Sequence, residues 1–160
     1  MDIAKAIWRI PASRVKNKRD HIVPLTSSTL FLLEPLLKGQ QSGPLMRTPR
    51  GHAATNVSLS KAFSSLRARG FLQDVKATPH DLRRTAATLM GRLDIDQMTI
   101  ARVLNHVSTT KPTVTGSTYD RYTYEPQMRR ALAALDAHIR YIVGADPTAG
   151  NVVTLAGHRQ

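Results

Sequence analysis

The chain has 160 residues, with 23 Lys plus Arg against 11 Asp plus Glu, and a formal net charge of +12 before any of its six histidines takes up a proton. Its 41% apolar content fills one core of ordinary size, which excludes two full domains, and the absence of cysteine excludes disulfides, thiol nucleophiles and thiolate-held metals. No apolar run reaches the ~18 residues of a membrane span and the opening MDIAKAIWRI lacks a secretory-signal pattern, so a cytoplasmic chain without a membrane partner is expected. A charge this positive, spread from Lys5 to Arg140 rather than gathered on one amphipathic helix, points to a polyanion, and to nucleic acid before a lipid surface.

Residues 5–10 (KAIWRI) and 21–25 (HIVPL) alternate polar and apolar, which predicts two strands joined by the basic loop PASRVKNKRD. From Thr26 the period changes to that of a helix, with Leu30, Leu33, Leu36 and Leu37 on one face, Ser27 or Ser28 as cap and Gly39 as terminator. Residues 39–53 are dense in Gly and Pro and read as an irregular connection. A second helix carries Val57, Leu59, Phe63 and Leu66, opened by Thr55 or Asn56 and closed by Gly70. Thr78 and Pro79 open a third, running to about Met90 with Gly91 beyond its end. A fourth spans about Asp96 to Leu104, residues 105–116 read as a loop, and the longest helix is expected from Glu125 to Val143. After Gly144 the composition becomes polar, and Val152, Val153 and Leu155 would extend a sheet edge in this molecule or a neighbour. The expected fold is mostly α in the α+β class: a small N-terminal β-hairpin followed by a helical bundle over residues 1–144, then a tail at 145–160.

The segment TPHDLRRTAATLM places His80 and Arg83 on one face of a helix, near an amino end that already favours anions. VLNHVSTT carries His106 where a helix opens into a loop, and TYDRYTYEP gathers Tyr119, Tyr122 and Tyr124. Singly, each has an ordinary reading as a surface histidine, a salt-bridge arginine or a packing tyrosine, and Tyr124 reads as a staple at the start of the last helix. His21, His52, His138 and His158 are scattered without ligand spacing, so no metal is expected. Met90, Met98 and Met128 read as core filling, and Arg129 and Arg130 as a solvated helix face or a DNA contact.

The order of these parts resembles the tyrosine recombinase family of phage-type integrases, and more narrowly the prophage integrases that read W-x-I-P-A-x-R-x-K-N early and Y-D-R-x-x-Y late. Here the first motif starts at Trp8, the second at Tyr119, His-x-x-Arg stands as His80 to Arg83, and Leu-Gly-His stands as Leu104, Asn105 and His106, with Asn105 replacing the usual Gly. The resemblance implies metal-free and cofactor-free phosphoryl transfer: Tyr119 as nucleophile forming a 3'-phosphotyrosyl link, His80 as base, Arg83 and His106 on the non-bridging oxygens, and Lys16 as general acid. Tyr122 is the alternative nucleophile. It also implies double-stranded attachment-site DNA as partner, with Arg14, Lys18 and Arg84 as further DNA-binding cations, and a homo-oligomer that is tetrameric on DNA. The interval from His106 to Tyr119 is longer than the family's usual one, and KPTVTG reads as an insertion. Nothing before Trp8 resembles the family's T-G-x-R-x-x-E segment, so the chain is expected to be the C-terminal portion of a longer integrase with weak cleavage alone. A non-catalytic DNA-binding remnant or regulator and a type IB topoisomerase-like enzyme are the alternatives.

Overall fold

The alternating amino-terminal segments form an antiparallel hairpin, β1 (Ile7–Ile10) with β2 (His21–Pro24), registered with Ile7 opposite Pro24 and Ile10 opposite His21. In the computed structural model the residues described are 1–38, 43–48, 50–71, 75–106 and 124–144; Tyr119, Tyr122 and the tail at 145–160 lie outside them. The loop between the strands opens with a 3-10 turn at Ala12–Arg14, and Asp20 ties its two ends, its Oδ1 accepting from the Ala12 N–H at 2.9 Å.

Helix α1 (Ser27–Leu37) is capped by Thr26, whose Oγ1 accepts from the Thr29 N–H at 3.3 Å. The cap is thus neither Ser27 nor Ser28. Ser28 is drawn elsewhere, because its hydroxyl and that of Thr26 both donate to Asp136, each at 3.1 Å. Helix α2 (Asn56–Ala68) opens on the expected Thr55, and Gly70 takes the left-handed conformation at φ +86° just past its end. Helix α3 (Pro79–Arg92) begins as expected at Thr78–Pro79. Asp81 reaches back to accept from the Thr78 N–H at 2.9 Å and the Thr78 hydroxyl at 2.7 Å, and these bonds hold its carboxyl below the usual carboxylate range. Gly91 lies inside this helix rather than beyond it; the left-handed residue that turns the chain is Asp94, at φ +56°.

Helix α4 (Gln97–Val103) is capped by Asp96, and the longest helix, α5, runs Glu125–Val143 with Gly144 left-handed at its end. The core lies where α3, α4 and α5 meet. Met90 is completely buried there among Ile100, Ala131 and Leu135, and Met128 and Leu25 are also buried. Met98, expected in the core, is 43% exposed, because α4 turns Ile100 and Ala101 inward instead. Arg129, expected on a solvated face, is half-buried and donates to Glu125 at 2.9 Å and to the Lys5 carbonyl at 3.3 Å; Arg130 is exposed. The fold is α+β, with a two-stranded sheet leading into five described helices. Among the described residues no helix is long and apolar enough to cross a membrane, and no group of His, Asp and Glu is placed to hold a metal.

Candidate active site

The end of α4 organises the site. Leu104 caps the helix, the Asn105 N–H donates to the Arg102 carbonyl at 3.0 Å, and the His106 N–H donates to the Ala101 carbonyl at 2.8 Å. These two bonds are the pair that define a Schellman turn, whose C' residue must be left-handed. Asn105 fills that position at φ +51°. Glycine is the least strained residue there, and asparagine is the side-chain-bearing residue that adopts the conformation most readily. The substitution of Asn for Gly therefore preserves the turn that presents His106.

Two other elements converge on this turn. From α3, the half-buried Arg83 donates through Nη2 to the Leu104 carbonyl, which fixes the His-x-x-Arg helix against the turn. From the hairpin, Asn17 donates through Nδ2 to the Asn105 Oδ1 at 2.8 Å, and His21 lies half-buried against the Val103 backbone. Burial pushes the His21 imidazole below its ordinary pKa and the Arg83 charge lowers it further, against a hydrogen bond with Val103 that raises it.

Lys16 is exposed on the hairpin loop immediately before Asn17, together with exposed Arg14, Lys18 and Arg19. His80 is exposed one turn before Arg83, and Arg84 is exposed with its guanidinium 3.6 Å from Asp81. His106 is exposed at the turn itself. Arg83, the His106 turn and the loop bearing Lys16 are thus linked by direct bonds, whereas His80 shares only the helix that carries Arg83.

Tyr124 does not act as a staple: it is the N-cap residue of α5, left-handed at φ +50°, with its ring stacked under Arg102, 3.5 Å from guanidinium carbon to centroid. This cation–π contact sets the start of α5 beside the last turn of α4. The contacts of Asn17, of His21 and of the Arg102–Tyr124 pair were invisible in the sequence because the partners lie far off along it; Asn17 and Asn105 are 88 residues apart.

Comparison with known proteins adds a family to this arrangement of hairpin, His-x-x-Arg helix and Leu-x-His turn. Residues 1–125 match the Phage integrase family, and the chain belongs to that family. It is 32% identical to the integrase of Enterobacteria phage P4 over 119 residues, which cover 66% of this chain and 27% of that protein. It is 29% identical to the prophage integrase IntA of Escherichia coli (strain K12) over 129 residues, which cover 81% of this chain and 30% of that protein. The chain thus matches less than a third of the length of either relative. No solved structure matches it.

Proposed function

We propose that this chain carries catalytic residues of site-specific DNA recombination and acts through a 3'-phosphotyrosyl intermediate. The observation that carries the reading is the bond from Arg83 to the Leu104 carbonyl, which joins the His-x-x-Arg helix to the His106 turn in a member of the integrase family. One guanidinium donor is committed to that carbonyl, and the fork offers four more N–H groups for phosphate oxygens. His106 adds a donor from the turn.

In the proposed step the Tyr119 Oη attacks the scissile phosphorus in line, the P–O5' bond breaks, the phenolic proton passes to His80, and Lys16 gives a proton to the departing 5'-oxygen. A tyrosine titrates near ~10 when unperturbed, which is why a base is needed at neutral pH. The link keeps the energy of the broken ester, so the 5'-hydroxyl of another strand reseals the backbone without ATP. Tyr119 belongs to the stretch that leaves the α4 turn at His106 and returns to it at Tyr124, stacked on Arg102.

Residues 1–144 would form the catalytic unit, and residues 145–160 a tail exchanged with a neighbouring protomer in a tetramer on two attachment-site duplexes. Arg14, Lys18 and Arg84 would contact the DNA backbone beside the reacting phosphate. The residues named here supply one phosphate-binding arginine, each preorganised donor of this kind is worth about 10²- to 10³-fold in rate, and cleavage by the chain alone is therefore expected to be weak. A nicked suicide duplex tests the reading, since the nick lets the cleaved end diffuse away and traps the covalent adduct. Tyr119→Phe should abolish the adduct and leave DNA binding unchanged. An adduct that survives in Tyr119→Phe and disappears in Tyr122→Phe moves the nucleophile to Tyr122, and DNA binding with no adduct from the parent chain favours a non-catalytic DNA-binding role.

A further inference from the structure

We propose that Asn17 and Asn105 form a latch that positions the Lys16 loop over the His106 turn, so that the general acid meets the phosphate held by Arg83. The inference rests on the roles assigned to Lys16 and Arg83 above, and it concerns two residues without a chemical role of their own. Asn17 uses both ends of its amide. Its Oδ1 accepts from the Arg19 N–H at 3.2 Å, shaping the loop around the left-handed Lys18, while its Nδ2 crosses to the Asn105 Oδ1 at 2.8 Å. The first bond is local and the second joins the loop to another element.

Among the described residues, the other hydrogen bonds and ion pairs of the loop hold the hairpin to itself. Asp20 accepts from Ala12, and its carboxylate lies 3.9 Å from the Arg9 guanidinium. These fix the base of the hairpin and leave its tilt toward the α4 turn to Asn17 and to His21, which lies against Val103. At position 105 the backbone would be less strained as glycine, yet glycine has no side chain to reach Asn17. Asparagine meets both demands, the left-handed turn and the cross-link. Lysine adds the reason a latch matters: its charge rides on a flexible four-carbon stem, so the position of its Cα governs how often the ammonium sits within reach of the leaving oxygen.

The test compares a nicked duplex carrying the ordinary 5'-oxygen at the scissile bridge with one carrying sulfur there. A thiolate leaves without a proton, since a thiol titrates near ~8.5 whereas an alcohol titrates far above that. Loss of the general acid or of its placement therefore slows only the oxygen substrate. Asn17→Ala and Asn105→Gly, each in the full chain, should slow adduct formation on oxygen about tenfold. The double variant should be no slower than the worse single, and all three should cleave the sulfur duplex within about twofold of the parent. Lys16→Ala should show the same oxygen-specific loss, and Arg83→Ala should slow both substrates. Equal loss on both duplexes, or no loss on oxygen, overturns the positioning role.

Trypsin gives a readout independent of catalysis, because Lys16, Lys18 and Arg19 are cleavage sites in the loop. In the folded chain Asn105→Gly should speed nicking there several-fold, although the substitution is far away in sequence, and an unchanged rate overturns the latch itself. Should the parent form no adduct on either duplex, the function proposed above fails and the catalytic half of this proposal with it. The trypsin result then decides whether the two asparagines hold the loop.

Discussion

Replacing Asn105 separates what its backbone does from what its side chain does. The residue is left-handed at φ +51°, and its carboxamide accepts the bond from Asn17 at 2.8 Å. Alanine there loses the part-buried hydrogen bond, worth about 0.5–1.5 kcal/mol net, and must also hold a conformation that costs an ordinary L-residue roughly 1–2 kcal/mol. The sum is a loss of about 1.5–3.5 kcal/mol. Glycine loses the same bond but recovers the left-handed strain, and its extra freedom in the unfolded chain costs back roughly 0.5–1 kcal/mol. Both variants lose the same bond, so Asn105→Ala should unfold about 1 kcal/mol below Asn105→Gly, the strain less the cost of glycine's freedom. Urea titration followed by circular dichroism reads this as a shift in midpoint at constant slope. If alanine proves as stable as glycine, residue 105 is not left-handed in solution and the turn presenting His106 is built differently.

Three further outcomes follow from the same geometry. Met90→Ala empties a completely buried site and should cost about 2–5 kcal/mol, whereas Met98→Ala, at a residue 43% exposed, should cost less than about 1 kcal/mol; equal shifts in thermal midpoint would relocate the core. Because the folded His21 imidazole titrates below its unfolded value, the unfolded chain binds more protons at mildly acidic pH, so the stability this residue contributes is full above about pH 6.5 and is lost as the pH falls toward its folded pKa. Urea midpoints of parent and His21→Gln at pH 7.5 and 5.5 should show a shallower fall in the variant, and parallel falls would exclude His21 as the source. Arg83→Lys keeps the charge but loses the fork that serves the Leu104 carbonyl and, in the proposed reaction, a phosphate, so adduct formation should drop about 10²-fold with DNA affinity nearly intact; an equal loss of affinity would make Arg83 a binding residue only.

What could be read from the sequence depends on how far apart the interacting residues lie. The limits of α5, the start of α3 at Thr78–Pro79 and the Gly70 turn are written within four residues of themselves, in periodicity and capping chemistry, and were legible. The cap of α1 was not, because Thr26 and Ser28 both answer to Asp136, over a hundred residues on. Gly91 looked like a terminator only because glycine often is one; the bond from the Leu93 N–H back to the Leu89 carbonyl carries the helix past it. Met98 and Met90 have the same side chain, and only the packing of α4 on α3 and α5 tells them apart. In the site, Arg83, His80, His106 and Lys16 came from a recognisable order of motifs. Asn17 closes the motif that starts at Trp8 and His21 belongs to none, but the contacts of both exist only once the hairpin has folded onto α4.

The chemistry of the latch is consistent with the charge of the chain. Several carboxylates are engaged close to home, Asp2 with Lys5, Glu34 with Lys38, Asp81 with Arg84, Glu125 with Arg129 and Asp136 with Arg140. The hairpin loop carries Arg14, Lys16, Lys18 and Arg19, and its one carboxylate, Asp20, faces Arg9 at the base. Four cations on one loop repel each other and repel Arg83, so without an anchor the loop would swing outward. An ion pair at this point would be a poor anchor, because an arriving phosphate would compete for its cation and salt would screen it. Two neutral amides avoid both effects: phosphate does not displace the carboxamide that accepts at Asn105, and ionic strength leaves the bond nearly untouched. In the proposed reaction the loop would therefore present an unneutralised charge to DNA while its position is set by groups that the DNA does not perturb.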